Sequence, residues 1–273
     1  MKILLTGSNG FIGRNITAAL TSAQHEVIHL SRASGHDYNR MHTATAWIPL
    51  LYGIDAVINC VGIITESRTQ SFASLHQQAP IALFHACAQL GVKRVIQISA
   101  LGADLHATTP YFRSKYAADQ LLQSLPLEWF VLRPSLVYGP GGKSSAMFTR
   151  MAMLPVIPLI DHGHQQIQPV HIDDLVAAVM HCLIDTSTRQ VINIVGPEAM
   201  SFADWLQRLR NKHSKQKAAT LSVPYMPILA LSHIGKYLLP IMHPDNLKML
   251  QQGNTADVQP LTDLLGRKPR ELP

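Results

Sequence analysis

The stretch Thr6-Gly7-Ser8-Asn9-Gly10-Phe11-Ile12-Gly13 decides the fold of this chain. It follows the apolar run Ile3-Leu4-Leu5 and opens residues 11–22, which read as a helix. Glycines at this spacing, set between a strand and a helix, form a dinucleotide cradle. Gly7 permits the sharp turn, Gly10 lets the backbone approach a pyrophosphate, and Gly13 lets the helix lie close to the strand. The free amides and the dipole at the start of that helix favour the phosphates. Asn9, Phe11 and Ile12 complete the candidate contact set.

Outward from the cradle, residues 25–30, 55–60, 94–98 and 128–132 read as strands, and residues 70–90 and 111–123 as helices. Strands alternating with helices predict an α/β fold, a Rossmann-like doubly wound parallel sheet. Ala56-Val57-Ile58 is apolar on successive residues, as a strand covered on both faces must be. Beyond Gly139-Pro140-Gly141-Gly142 the pattern becomes irregular. Residues 1–140 are therefore assigned to the dinucleotide-binding core and 141–273 to a small C-terminal substrate lobe. A helix at 173–184 and a strand at 191–195 bring 165–195 partly into the core. Residues 201–212 read as a helix capped by Ser201. The apolar segment 221–242, with Pro224, Pro227 and Pro240, reads as a helix buried against the lobe. A contact lying on a membrane surface is its second reading.

Composition narrows the partners. Of the 273 residues, 47% are apolar and 15% charged, which excludes a disordered chain. The formal charge of +6 suits anionic ligands or an anionic surface. No basic run interleaved with aromatics is present, so nucleic acid is not expected. Cys60, Cys87 and Cys182 stand singly, which fits neither a disulfide framework nor a metal site. A reducing, cytoplasmic setting is expected, since the chain enters a strand directly after Met1.

An NAD site places an acid at the end of the second strand, where it binds the ribose hydroxyls. Here that place holds Ser31 followed by Arg32, and Arg14 follows the last glycine. A guanidinium clasps a 2′-phosphate that a carboxylate would repel. NADP(H) is thus preferred over NAD(H).

Tyr111 and Lys115 lie four apart on a helix and so share a face. An ammonium beside a phenol favours the phenolate and is expected to lower its pKa. Such a tyrosine exchanges the proton that accompanies hydride transfer, while the nicotinamide does the redox chemistry. Ser99 ends the strand at 94–98 and is placed to hydrogen-bond the same substrate oxygen. Arg133 and Asp173 form either an ion pair tying the lobe to the sheet or a substrate contact.

Residues 6–13, Asn59-Cys60-Val61-Gly62, Ser99, Tyr111 and Lys115 together resemble the short-chain dehydrogenase/reductase superfamily, in its extended and atypical branches. So do Arg133-Pro134-Ser135-Leu136-Val137-Tyr138-Gly139-Pro140 and Pro169-Val170-His171-Ile172-Asp173-Asp174. Residues 57–64 and 98–103 are most similar to the group related to the nucleotide-binding accessory subunit of respiratory complex I. The resemblance implies that Asn59, Cys60, Val61 and Gly62 line the adenosine side. It also implies that Tyr111 is the acid/base, that Lys115 holds the nicotinamide ribose, and that Ser99 steadies the substrate. Pro134 and Ser135 would lie near the nicotinamide. Two departures stand out. The usual proton-relay Asn is absent or replaced by His76, in Leu75-His76-Gln77-Gln78, and residues 32–55 match poorly, so neither a third strand nor its adenine-contacting acid is assigned.

These features imply an NADP(H)-dependent oxidoreductase, epimerase or dehydratase acting on a small-molecule carbonyl or alcohol. The alternative is a non-catalytic NADP(H)-binding accessory or sensor protein, with a peripheral membrane or respiratory-complex contact. Relatives pair through the helices at 70–90 and 111–123, so a monomer or homodimer is expected.

Overall fold

The computed structural model describes residues 1–212, 217–235 and 243–272. The core elements are β1 (Lys2–Thr6), α1 (Phe11–Ser22), β2 (Glu26–Leu30), α2 (Ala44–Leu51), β3 (Ala56–Asn59), α3 (Ala79–Leu90), β4 (Arg94–Ile98), α4 (Pro110–Ser124) and β5 (Glu128–Pro134). There follow β6 (Val137–Tyr138), α5 (Lys143–Ala152), β7 (Val156–Ile160), β8 (Gln166–Ile167), β9 (Val170–His171), α6 (Ile172–Ile184) and β10 (Gln190–Ile194). The chain closes with β11 (Met200–Ser201), α7 (Phe202–Asn211), β12 (Ala219–Val223), α8 (Tyr225–Gly235), α9 (Pro244–Gln251) and α10 (Gln259–Leu265).

Six strands form the central sheet in the order β10-β5-β4-β3-β1-β2, and every pairing in it is parallel. Alternate side chains feed two cores. Leu4, Val57, Val95 and Val131 pack under α2, α3 and α4, with Trp47, Leu83 and Leu122. Ile3, Leu5, Ile58, Ile96 and Phe130 point the other way and meet Ile16, Leu175, Val179 and Leu261 of α1, α6 and α10. Burial on both faces is what makes the strands read as unbroken apolar runs.

The order of strands reverses between β1 and β3, and a crevice opens there at the carboxyl ends. Three polar residues cross-link those ends. Thr6 Oγ1 donates to Asn59 Oδ1 at 2.5 Å, and Asn59 Nδ2 donates to Gln97 Oε1 at 2.7 Å, across strands paired in register.

Two expectations change, and residues 32–55, unassigned above, take shape. No strand lies between β2 and β3. Residues 32–34 and 38–40 form short 3₁₀ turns, because Ser31 and Ser34 cap each other and Asp37 accepts from the Asn39 amide at 3.1 Å. The helix expected over 70–90 begins as a π-helical stretch, Ala73–Gln78, before α3. The apolar segment at 221–242 is not one buried helix. Its start pairs with β7 as β12, Pro224 separates that strand from α8, and Leu221 and Met226 are exposed; residues 236–242 lie outside the described residues. Among the described residues, no helix is long and apolar enough to cross a membrane.

Candidate functional site

The glycine turn is built by close backbone contact. Gly7 takes φ +69°, and a Cβ there would sit 2.8 Å from the backbone of Cys60. A Cβ on Gly13 would sit 2.3 Å from the Gly7 carbonyl oxygen. Gly10 caps α1 without any side-chain acceptor, so no side chain competes for the first-turn amides. A cradle that added carbons would fill, at an open helix N-terminus, fits a dinucleotide pyrophosphate.

Beside it lies a cleft of about 570 Å³ whose walls include Gly7, Asn9, Gly10, Ser31, Arg32, Cys60, Val61 and Gly62. The structure therefore brings these eight predicted residues together. Phe11, Ile12, Gly13 and Arg14 are not in that wall. Phe11 and Ile12 pack against the core, and Arg14 donates to the Asn9 carbonyl at 2.8 Å and to the Gly141 carbonyl at 3.5 Å. Asn59 is buried and spends its amide within the sheet. Pro134 and Ser135 are buried at the end of β5. The Pro134 carbonyl accepts from Leu101 N, and Ser135 Oγ donates to the Gln168 carbonyl at 2.6 Å.

Asp37 also lines the cleft, with Tyr38, Asn39, Gln70 and Leu75. Residue-by-residue reading passed over it. The available signal was an Asp two residues before an Asn, the pattern of a side-chain-capped turn.

On the other side of the crevice, Thr109 caps α4 by accepting from Phe112 N, which sets Tyr111 in its first turn. One turn on, Lys115 is buried, and its Nζ donates to the Ile98 carbonyl at 3.0 Å, beside Ser99. Burial draws the Lys115 pKa down to about 8, opposed by the charge of Asp119, so the ammonium persists at pH 7. The Tyr111 ring lies edge-on to Phe72, His76 and Phe112, with centroids 5.3–5.7 Å away. Burial pushes its phenol up to about 12. The lowering expected from Lys115 does not occur: burial is what shifts the phenol, and Tyr111 holds its proton at neutral pH.

Ser99 Oγ donates to buried Asp119 Oδ2 at 2.6 Å. Arg133 Nε stands 3.5 Å from the same oxygen, which corrects the expected pairing with Asp173. Asp173 instead meets Arg270 at 2.8 Å, because the C-terminal tail returns over the start of α6. Burial raises the Asp119 carboxyl to about 6, opposed by Ser99 and Arg133. A carboxyl raised in the folded state stabilises fully below its unfolded value, near 3.8, and loses that contribution as pH rises through 6. Asp119→Asn is therefore expected to flatten the stability profile between about pH 4 and 6, measured by urea unfolding across that window.

The C-terminal region reaches this corner through α9. Asn246 Nδ2 donates to Thr65 Oγ1 at 3.3 Å, and Gln252 hydrogen-bonds Thr108. Met249 packs against the cluster of Ala100, Ala103 and Phe112 on which Tyr111 also rests.

Residues 3–195 match the NAD dependent epimerase/dehydratase family. The chain belongs to that family. The family chain is 24% identical over 217 residues to NADH dehydrogenase (ubiquinone) 1 alpha subcomplex subunit 9, mitochondrial, of Mus musculus, covering 78% of this chain and 56% of that protein. It is 24% identical over 190 residues to a ceramide reductase of Caulobacter vibrioides, covering 65% of this chain and 59% of that one. It spans only 28% of an uncharacterized Mycobacterium tuberculosis protein, at 25% identity over 98% of its own length. In fold it is similar to the UDP-glucuronic acid 4-epimerase of Bacillus cereus, solved with UDP-glucuronic acid and NAD. The TM-score is 0.74 at 20% identity, over 99% of this chain and 95% of that one.

Proposed function

We propose that this family member is an NADP(H)-dependent reductase that protonates a carbonyl oxygen through Tyr111. The observation that carries the reading is the single cleft in which the glycine cradle, Arg32 and residues 60–62 meet. Gly7, Asn9 and Gly10 with the first amides of α1 would hold the pyrophosphate, and Arg32 the 2′-phosphate. Cys60, Val61 and Gly62 would line the adenosine side, with Asp37 offering a carboxylate to a base amino group. Lys115 would take the nicotinamide ribose, near Pro134 and Ser135. Bound there, the dinucleotide supplies a hydride. Tyr111 would supply the proton, since its phenol, pushed up to about 12 by burial, keeps its proton at neutral pH and has it to donate.

Titration of the purified chain with NADPH and NADH tests this, followed by nucleotide fluorescence and melting temperature. NADPH is expected to bind more tightly, and Arg32→Ala to weaken it about 10- to 100-fold, the value of a charge-assisted hydrogen-bond pair, leaving NADH unchanged. Equal binding of both nucleotides would remove the NADP(H) preference, and binding of neither would remove the dinucleotide reading.

Two observations favour a second reading, a non-catalytic NADP(H)-binding accessory protein. Ser99 Oγ donates its hydrogen bond to Asp119 rather than to a substrate, and α9 lies on the corner that holds Tyr111. The resemblance to the mouse NADH dehydrogenase subunit points the same way and would make a respiratory complex the partner.

A further inference from the structure

His76 occupies the π-helical stretch before α3 and is 1% exposed. The Ile63 backbone N–H donates to its Nε2 at 3.0 Å. An amide can only donate, so Nε2 is the acceptor and the ring proton resides on Nδ1. Nδ1–H then donates to Ser114 Oγ at 3.1 Å, and Ser114 Oγ donates in turn to the Tyr111 carbonyl at 2.8 Å. Every link points the same way, from a backbone amide to a backbone carbonyl. A proton wire needs ends that exchange protons, and neither of these does.

The same chain joins two pieces of the candidate site. Ile63 continues the cleft wall formed by residues 60–62, and Ser114 and Tyr111 belong to the first turns of α4. A Cβ on Gly62 would lie 3.5 Å from Lys115 Nζ and 3.6 Å from His76 Nε2, so both side chains flank the cleft loop. The ring is fixed further by stacking on Phe72 and by its edge contact with Tyr111, centroids 5.2 and 5.3 Å away. Burial and the Lys115 charge hold the imidazole neutral, with its pKa near 2.

We infer that His76 is a positioning residue: as a neutral Nδ1–H imidazole it clamps the dinucleotide-cleft loop at Ile63 to the helix that carries Tyr111 and Lys115, and it relays no proton. The inference rests on the dinucleotide reading above.

Two side chains separate clamp from relay. Gln presents an acceptor and a donor on one amide and cannot titrate, whereas Ala presents neither. In the full-length chain, His76→Gln is expected to keep NADPH affinity within about twofold, and His76→Ala, which loses both hydrogen bonds and with them the hold on the cleft loop, to weaken it about tenfold. Nitrogen-15 spectra of the wild-type imidazole, with and without NADPH, should show a protonated Nδ1 and a bare Nε2 in both states. A proton on Nε2 would overturn the inference. So would a Gln variant as impaired as Ala, or an Ala variant that binds NADPH like the wild type. If the wild type binds NADPH and only these arms fail, the dinucleotide reading stands. If the wild type binds neither nucleotide, both fall.

Discussion

Gly13→Ala is expected to lower the unfolding free energy by about 2–3 kcal/mol and to abolish the melting-temperature rise produced by NADPH. Helix propensity alone argues the opposite, because Gly13 lies inside α1 and alanine gains about 1 kcal/mol over glycine in a helix interior. The local geometry decides the sign. The new Cβ would stand 2.3 Å from the Gly7 carbonyl oxygen and 2.9 Å from both the Gly7 carbonyl carbon and Ser8 Cα. All three are backbone atoms, so no side chain can rotate away. That backbone is held in turn, since Gly7 N donates to the Leu30 carbonyl and Gly10 N to the Gly7 carbonyl. Relief of the clash requires α1 to withdraw from β1, which opens the cradle proposed to hold the pyrophosphate. Gly10→Ala makes the contrast, because its Cβ meets only the Gly7 oxygen, at 3.2 Å. It is expected to fold near normally yet bind NADPH poorly. Urea unfolding of the two variants, with and without NADPH, checks both statements; a Gly13→Ala protein as stable as wild type would overturn the packing argument.

The same contrast shows why much of this fold was legible before any coordinates. A strand covered on both faces must be apolar throughout, and a glycine packed against backbone admits no substitute, so β1, β3 and the cradle are written in local sequence. Arg94–Ile98 and Phe11–Ser22 fall on the same residues in sequence and structure for that reason. Residues 32–55 gave no such signal because they form capped turns and a short helix in place of a strand. The candidate site was legible as a set of residues but not as a network. Ser99 and Asp119 are 20 residues apart, and Asn246 and Thr65 are 181 apart. Nothing in spacing announces such pairs. The phenol of Tyr111 illustrates the same limit: the four-residue interval to Lys115 is visible in sequence, whereas the burial that raises the phenol is not, and its ring contacts include Phe72 and His76, far off in sequence.

Tyr111→Phe is expected to reduce NADPH consumption with a carbonyl substrate by about 10²- to 10⁴-fold, the range that general acid catalysis supplies, while leaving NADPH affinity and melting temperature nearly unchanged. The substitution keeps the ring, and with it the edge contacts to Phe72, His76 and Phe112 that fix its place. It removes only a hydroxyl that makes no hydrogen bond among the described residues. Stability and turnover therefore separate cleanly in this variant. A pH profile adds an independent check. With the phenol near 12 and the Lys115 ammonium near 8, reduction should be flat up to neutral pH and fall as pH rises through 8, when Lys115 loses the charge proposed to hold the ribose. The assay is absorbance-monitored NADPH loss against a panel of aliphatic and aromatic aldehydes and ketones. A Tyr111→Phe protein as active as wild type would remove Tyr111 from the chemistry. A wild type that binds NADPH tightly yet consumes none across the panel would favour the accessory reading, in which Asp119 takes the Ser99 hydroxyl and Met249 of α9 packs over the Tyr111 corner.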